Sequence, residues 1–207
     1  MNTIFGIDNL LNRLHGEGTL FWDTFFSTYS NIYIWLPMLF VLLCILIKNN
    51  TIKNFMLIIG IIFFIVILSE FAVTPLWRFL SGNNLWNINA ISSHTTDILS
   101  IVLFISYIIK KKSLTTSLLL WTVVNIYSGI YLNEFSSGDI TFSVIFGIVI
   151  GISASLLYKF IRKKQRSANR DWISTQYTKS GYLVSDVHFL LVMLYGTLAL
   201  VPVISFL

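Results

Sequence analysis

The stretch FMLIIGIIFFIVIL, residues 55–68, decides the fold of this chain. It carries no charged side chain, and its apolar character resumes past Ser69 and Glu70 toward Leu80. Roughly 20 mainly apolar residues cross the hydrocarbon core of a bilayer as a helix. A single segment there satisfies its backbone donors and acceptors only by becoming helical. Working outward from this stretch gives six predicted spans: Asn31–Lys48, Asn54–Leu80, Ser92–Ile109, Leu114–Leu132, Asp139–Phe160 and Leu183–Leu207. The expected fold is therefore all-α, a six-transmembrane-helix bundle forming one membrane domain over residues 1–207. Hydrophobic residues make up 56% of the chain and charged residues 11%, too little polar surface to cover a water-soluble body of this size. Cys44, the one cysteine, excludes an internal disulfide.

Before the first span, Ile4, Phe5, Ile7, Leu10, Leu11 and Leu14 recur at helical spacing. They predict an N-terminal amphipathic helix over residues 3–15, lying either at the membrane interface or as a cap on the bundle. The first 25 residues carry Asp8, Arg13, Glu17 and Asp23 in place of a continuous apolar segment, so no cleavable signal peptide is expected.

The basic residues set the orientation. Lys48 and Lys53 flank the first loop, and Lys110, Lys111 and Lys112 form the third. Lys159, Arg162, Lys163, Lys164, Arg166, Arg170 and Lys179 occupy the fifth, so these loops hold 12 of the 14 basic residues. Short cytoplasmic loops of membrane proteins are enriched in Lys and Arg. The alternate loops are thus expected in the cytoplasm, with both termini and the loops around residues 81–91 and 133–138 on the other side of a plasma (inner) membrane. The net charge of +5 reports topology and not nucleic-acid binding.

Ionisable residues at spans are functional candidates. The outward side gathers Glu70, Arg78, His94, Asp97, Glu134 and Asp139, with Ser92, Ser93, Tyr127, Ser128 and Tyr131 among them. His94 and Asp97 are three residues apart, on one helix face. Such a pair serves as a proton relay, a fragment of a metal site with Glu134 and Asp139, or a satisfied polar contact. The spacing matches no metal-ligand motif, and neither a metal nor a cofactor is expected. Asp139 also suits a helix N-terminus, and Ser92 and Ser93 suit a cap. His15 and His188 read as packing or interface residues, and the tryptophans mostly as interfacial belts.

Three segments resemble the type 2 phosphatidic-acid phosphatase superfamily of integral-membrane lipid phosphate and polyprenyl diphosphate phosphatases. They are Ile91-Ser-Ser-His94, the run from Tyr127 to Asp139, and Thr74-Pro-Leu-Trp-Arg-Phe79. The resemblance implies a six-helix bundle. It also implies chemistry in which a Lys and Arg clamp the phosphate, one His protonates the leaving group, and an Asp-oriented second His attacks phosphorus. His94 and Asp139 occupy the acid and orienting positions, while Ser92, Ser93, Arg78 and Ser128 fall in substrate-binding segments. Thr74 stands where the Lys belongs, Gly129 where the Arg belongs and Phe135 where the nucleophilic His belongs. Phe135 has no lone pair to offer. The resemblance therefore implies a degenerate member acting through a membrane lipid, phosphorylated or not, or a membrane partner. Two alternatives remain open from the residues: a working phosphatase with a displaced nucleophile, and a cation-binding or transport bundle with an acidic outer pocket.

Overall fold

The computed structural model describes residues 20–73, 93–132, 137–165 and 176–206. These form seven helices: α1 (Leu20–Ser30), α2 (Ile32–Asn49), α3 (Ile52–Leu68), α4 (Ser93–Ile109), α5 (Lys112–Tyr131), α6 (Ser137–Gln165) and α7 (Val184–Ser205). A π-helical turn, Ser69–Val73, continues α3. The described residues contain no strand, only an isolated bridge between Tyr177 and Leu183. The expected amphipathic helix over residues 3–15 and the end of the second predicted span, from Thr74 to Leu80, lie outside the described residues.

Among the described residues, five apolar helical stretches are long enough to cross a membrane: Leu20–Asn49, Ile52–Phe71, Lys112–Tyr131, Asp139–Arg162 and Val184–Ser205. The apolar helix His94–Ile109 is shorter. Large apolar side chains face outward along these helices, including Phe40 at 67% exposure, Phe63 at 66% and Val192 at 64%. In water such a surface is an aggregation liability; in lipid it is solvated. The protein is a multi-pass helical membrane protein.

Local chemistry explains the breaks. The Asn31 side chain accepts from the Tyr33 backbone N–H (3.0 Å), capping α2 and interrupting the Leu20–Asn49 stretch. The helical run thus starts well before the predicted Asn31. Asp23, the acid within that added turn, accepts from the Tyr131 hydroxyl (3.0 Å). Thr51 caps α3, its hydroxyl facing the Asn54 N–H at 3.4 Å. Inside the helices, Ser and Thr hydroxyls return to the preceding turn: Thr122 to Leu118 O (2.9 Å), Ser155 to Gly151 O (2.8 Å) and Ser205 to Val201 O (2.8 Å). At these positions the hydroxyl proton is satisfied within the helix and not left to lipid. Helix α6 continues past the predicted Phe160 to Gln165. Arg, Lys and Gln there end the apolar run without ending the helix, because they are good helix formers.

The most intimate helix pair is α4 with α6. Ser143, Gly147, Gly151 and Ser155 recur every fourth residue on α6, the small-residue spacing that lets membrane helices approach closely. A methyl built on Gly151 would meet Leu103 Cβ at 3.0 Å and the Ser100 carbonyl oxygen at 3.1 Å. Ser100 Oγ reaches Gly147 O across the seam (3.0 Å), and Thr96 Oγ1 reaches Ser143 O (3.3 Å). That seam fixes α4, the helix bearing His94 and Asp97.

The described parts of the loops rich in Lys and Arg gather at one end of the bundle. Asn49 donates to Asp186 Oδ2 (2.8 Å) and accepts from the Leu183 N–H (3.1 Å), while Lys48 pairs with Asp186 at 2.8 Å. Asn50 donates to the Tyr182 hydroxyl (2.8 Å), and Ser180 donates to Ile109 O (2.6 Å). The α2–α3 turn, the end of α4 and the approach to α7 are thereby tied together. Gly181, with φ of 92°, makes the turn that allows it.

Candidate functional site

His94 opens α4 toward the opposite end, exposed at the mouth of two joined cavities. The smaller, about 110 Å³, has a polar wall that includes Ser30, Thr95, Thr122, Asn125 and Gly129. The larger, about 260 Å³, is a groove with apolar walls from α2, α3, α4 and α5, among them Trp35, Met38, Ile101 and Trp121. Ser30, His94, Ile98 and Asn125 belong to both, so the polar chamber leads into the apolar groove. The groove rim includes Ile32 and Leu39, 52% and 38% exposed, on the outer surface of α2. The groove therefore opens sideways to lipid.

Two of the residues that line the groove each carry a polar atom buried away from its open space, with no hydrogen-bond partner among the described residues. One is an acceptor, Asp97 Oδ1; the other is a donor, Trp121 Nε1, on a side chain only 8% exposed. Leaving such groups unpaired costs on the order of 1–3 kcal/mol each, and natural structures rarely keep them without a reason. Around them the wall is firmly held. Trp35 donates from its indole to Tyr29 O (2.9 Å), Tyr29 donates to Trp121 O (3.1 Å), and the two indoles meet edge-on at 5.1 Å. The Ser69 hydroxyl lies beside the Asp97 carboxyl, with the Glu70 charge near.

The sequence candidates separate. His94 and Asp97 do share one face and one groove. Gly129 lines the polar chamber. Ser128 is fully buried behind it, donating to Asn125 O (2.8 Å) and bonded to Ser30 Oγ (2.7 Å), which makes it a strut for the chamber wall. Asp139 sits in the first turn of α6 and lines neither cavity. Ser93 is the first residue of α4. Ser92, Arg78, Thr74, Phe135 and Glu134 lie outside the described residues. No three of His, Cys, Asp and Glu cluster among the described residues. His188 is exposed on α7, away from both cavities.

Trp35 and Trp121 depart from the expected belt: both are buried, at 3% and 8% exposure, and form the groove wall. Ser30, Thr95 and Asn125 went unmarked in the sequence. Asn125 had the clearest signal, a lone amide in the otherwise apolar middle of α5.

Compared with known proteins, the chain matches no family model, no curated protein and no solved structure.

Proposed function

We propose that this is a lipid-binding membrane protein of lipid-phosphatase-like sequence whose phosphoryl-transfer chemistry has been lost. It crosses the plasma (inner) membrane six times, α4 serving as the sixth span. Its 17 residues extend about 25 Å, a small mismatch with a core of about 30 Å that local thinning accommodates. The basic end lies in the cytoplasm and the His94 chamber on the other side, in keeping with the charge bias of the loops.

The observation that carries the proposal is the polar chamber opening into a laterally accessible apolar groove. That is the outline of an amphiphile lying in the membrane with its head at His94 and its chain among Trp35, Met38 and Ile101. A volume of about 260 Å³, near the lower bound of roughly 300 Å³ for small-molecule sites, suits one chain better than a whole two-chain lipid. The charged lining favours a particular head: the Asp97 carboxylate beside the groove suits a hydroxyl or ammonium group. Neither cavity is lined by a Lys or Arg among the described residues, and the carboxylates at this end repel phosphate instead of concentrating it.

Phosphate release by purified protein from phosphatidate, phosphatidylglycerol phosphate and a polyprenyl diphosphate tests the loss of chemistry. The expected result is no release above a His94→Ala variant. Release that vanishes in that variant would overturn the proposal and make His94 the centre of an active, rearranged site.

A further inference from the structure

The basic end carries a cavity of its own, about 250 Å³, into which Lys110, Lys159, Arg162 and Lys179 converge. These residues come from the end of α4, the end of α6 and the approach to α7. Among the described residues no carboxylate lines the cavity; Asp186, at the start of α7, is engaged by Lys48 and Asn49. Topology alone requires basic residues in these loops, but it does not require four of them around one hollow.

Two features show that the cations are placed. Arg162 donates to the Tyr158 hydroxyl (3.0 Å) and lies 5.6 Å from the centre of that ring, which fixes the guanidinium at the cavity wall. Tyr158 is itself only 3% exposed, so the support is rigid. Lys110 has φ of 53°, the one non-glycine residue with positive φ among those described. A left-handed turn at a helix end is ordinarily made by Gly or Asn, and a strained position held by other residues points toward a function. That turn sets the Lys110 ammonium 5.0 Å from the centre of the Tyr107 ring, beside the cavity.

Exposed apolar surface lies on the same helix end: Phe160, the neighbour of Lys159, is 78% exposed, and it offers attached chains a place to lie near the cavity.

We infer that this cavity is a binding site for the phosphate head group of an anionic phospholipid in the leaflet at the basic end. The site is independent of the His94 chamber and of any reading of its chemistry. Arg162 supplies the planar fork that suits phosphate oxygens, and the lysines supply point charges around it. The Ser180 hydroxyl donates to Ile109 O (2.6 Å) and accepts from the Thr178 hydroxyl (3.1 Å), leaving one lone pair of its oxygen for a glycerol hydroxyl.

The test uses the full chain in nanodiscs, with lipid binding counted by native mass spectrometry. The lipids are phosphatidylglycerol, phosphatidylcholine and, as a soluble arm, glycerol phosphate. Two variants remove equal charge. Lys110→Asn with Lys159→Gln strips the cavity while Asn keeps the left-handed turn; Lys53→Gln with Lys112→Gln strips basic-end residues that do not line it. The expected result is a phosphatidylglycerol preference that falls about tenfold or more in the first pair and about twofold or less in the second, judged by the usual contribution of one juxtamembrane cation. Equal losses in both pairs would reduce the site to diffuse surface charge and overturn the inference. So would wild-type protein that does not prefer phosphatidylglycerol to phosphatidylcholine. Glycerol phosphate displacing the lipid at equal concentration would overturn the lipid assignment in favour of a soluble phosphate. Lys179→Gln, at an exposed residue outside every helix, provides a third reading should the first pair fold poorly, and is expected to weaken phosphatidylglycerol severalfold.

Discussion

Four glycines within helices form a controlled comparison of how α4 is held. A methyl added at Gly60 or Gly196 meets nothing within 4 Å, whereas one at Gly147 or Gly151 enters the α4–α6 seam. Gly→Ala raises helix propensity by about 1 kcal/mol wherever it is made in a helix interior, so that gain cancels when the sites are compared. Packing is what differs. At Gly147 the near atoms all belong to the Leu99 side chain, at 3.1 to 3.3 Å, and they include its Cβ, which moves only with α4. At Gly151 they include the Leu103 Cβ at 3.0 Å and the Ser100 carbonyl at 3.1 Å, which yield only if α4 itself moves. Overpacking of this kind costs about 1–3 kcal/mol, and moving α4 also stretches the Ser100 contact to Gly147 O, with interhelical hydrogen bonds in membranes contributing about 0.6 kcal/mol. Gly60→Ala and Gly196→Ala are therefore expected to stabilise slightly, Gly147→Ala to destabilise, and Gly151→Ala, which also meets a backbone carbonyl, to destabilise most. The separation between Gly60→Ala and Gly151→Ala is about 2 kcal/mol. Equilibrium unfolding in mixed SDS micelles, followed by tryptophan fluorescence, reads it directly. Four alanine variants agreeing to within about 0.5 kcal/mol would refute the close seam.

At the basic end, Asn49→Ala removes bonds to Ile45 O, Asp186 Oδ2 and the Leu183 N–H; the same micelle assay should show a loss of about 2–3 kcal/mol. Tyr182 is 1% exposed, and burial pushes its phenol up to about 12, partly opposed by the Asn50 hydrogen bond. In the unfolded chain a phenol ionises near 10, so between those values the unfolded state binds fewer protons and stability falls as pH rises. Wild type should lose on the order of 2 kcal/mol more than Tyr182→Phe between pH 10 and 12; parallel pH curves for the two proteins would count against a buried, neutral Tyr182. Ser128→Ala breaks the strut to Ser30 and should cost about 1 kcal/mol in the micelle assay while widening the polar chamber.

Helices were legible because each apolar run is long, and the alternation of basic loops anticipated which loops share an end. The start of the first helical stretch was not. Leu20–Ser30 is broken up by Asp23, Thr24, Ser27 and Thr28, and it is helical because Asp23 finds Tyr131 and Tyr29 packs in the core. Spacing alone paired His94 with Asp97. Finding the rest of the groove required knowing which faces of α2, α4 and α5 meet. A helix that is apolar nearly all round gives no stripe to read, so Trp35 and Trp121 looked like belt residues and Ser30 and Asn125 had nothing to tie them to His94. The polar signal was present at Asn125, but its partners come from helices distant in the chain.

The most direct measurement of the central claim is the lipid that the purified protein retains, extracted and identified by mass spectrometry. Wild type is compared with Ile101→Trp, which fills the groove, and Trp121→Phe, which reshapes its wall. The expected result is one amphiphile with a hydroxyl or amine head, enriched over the bulk membrane and depleted in both variants while their unfolding midpoints hold. Retained lipid that mirrors the bulk membrane, and is the same in all three proteins, would contradict a binding groove at His94.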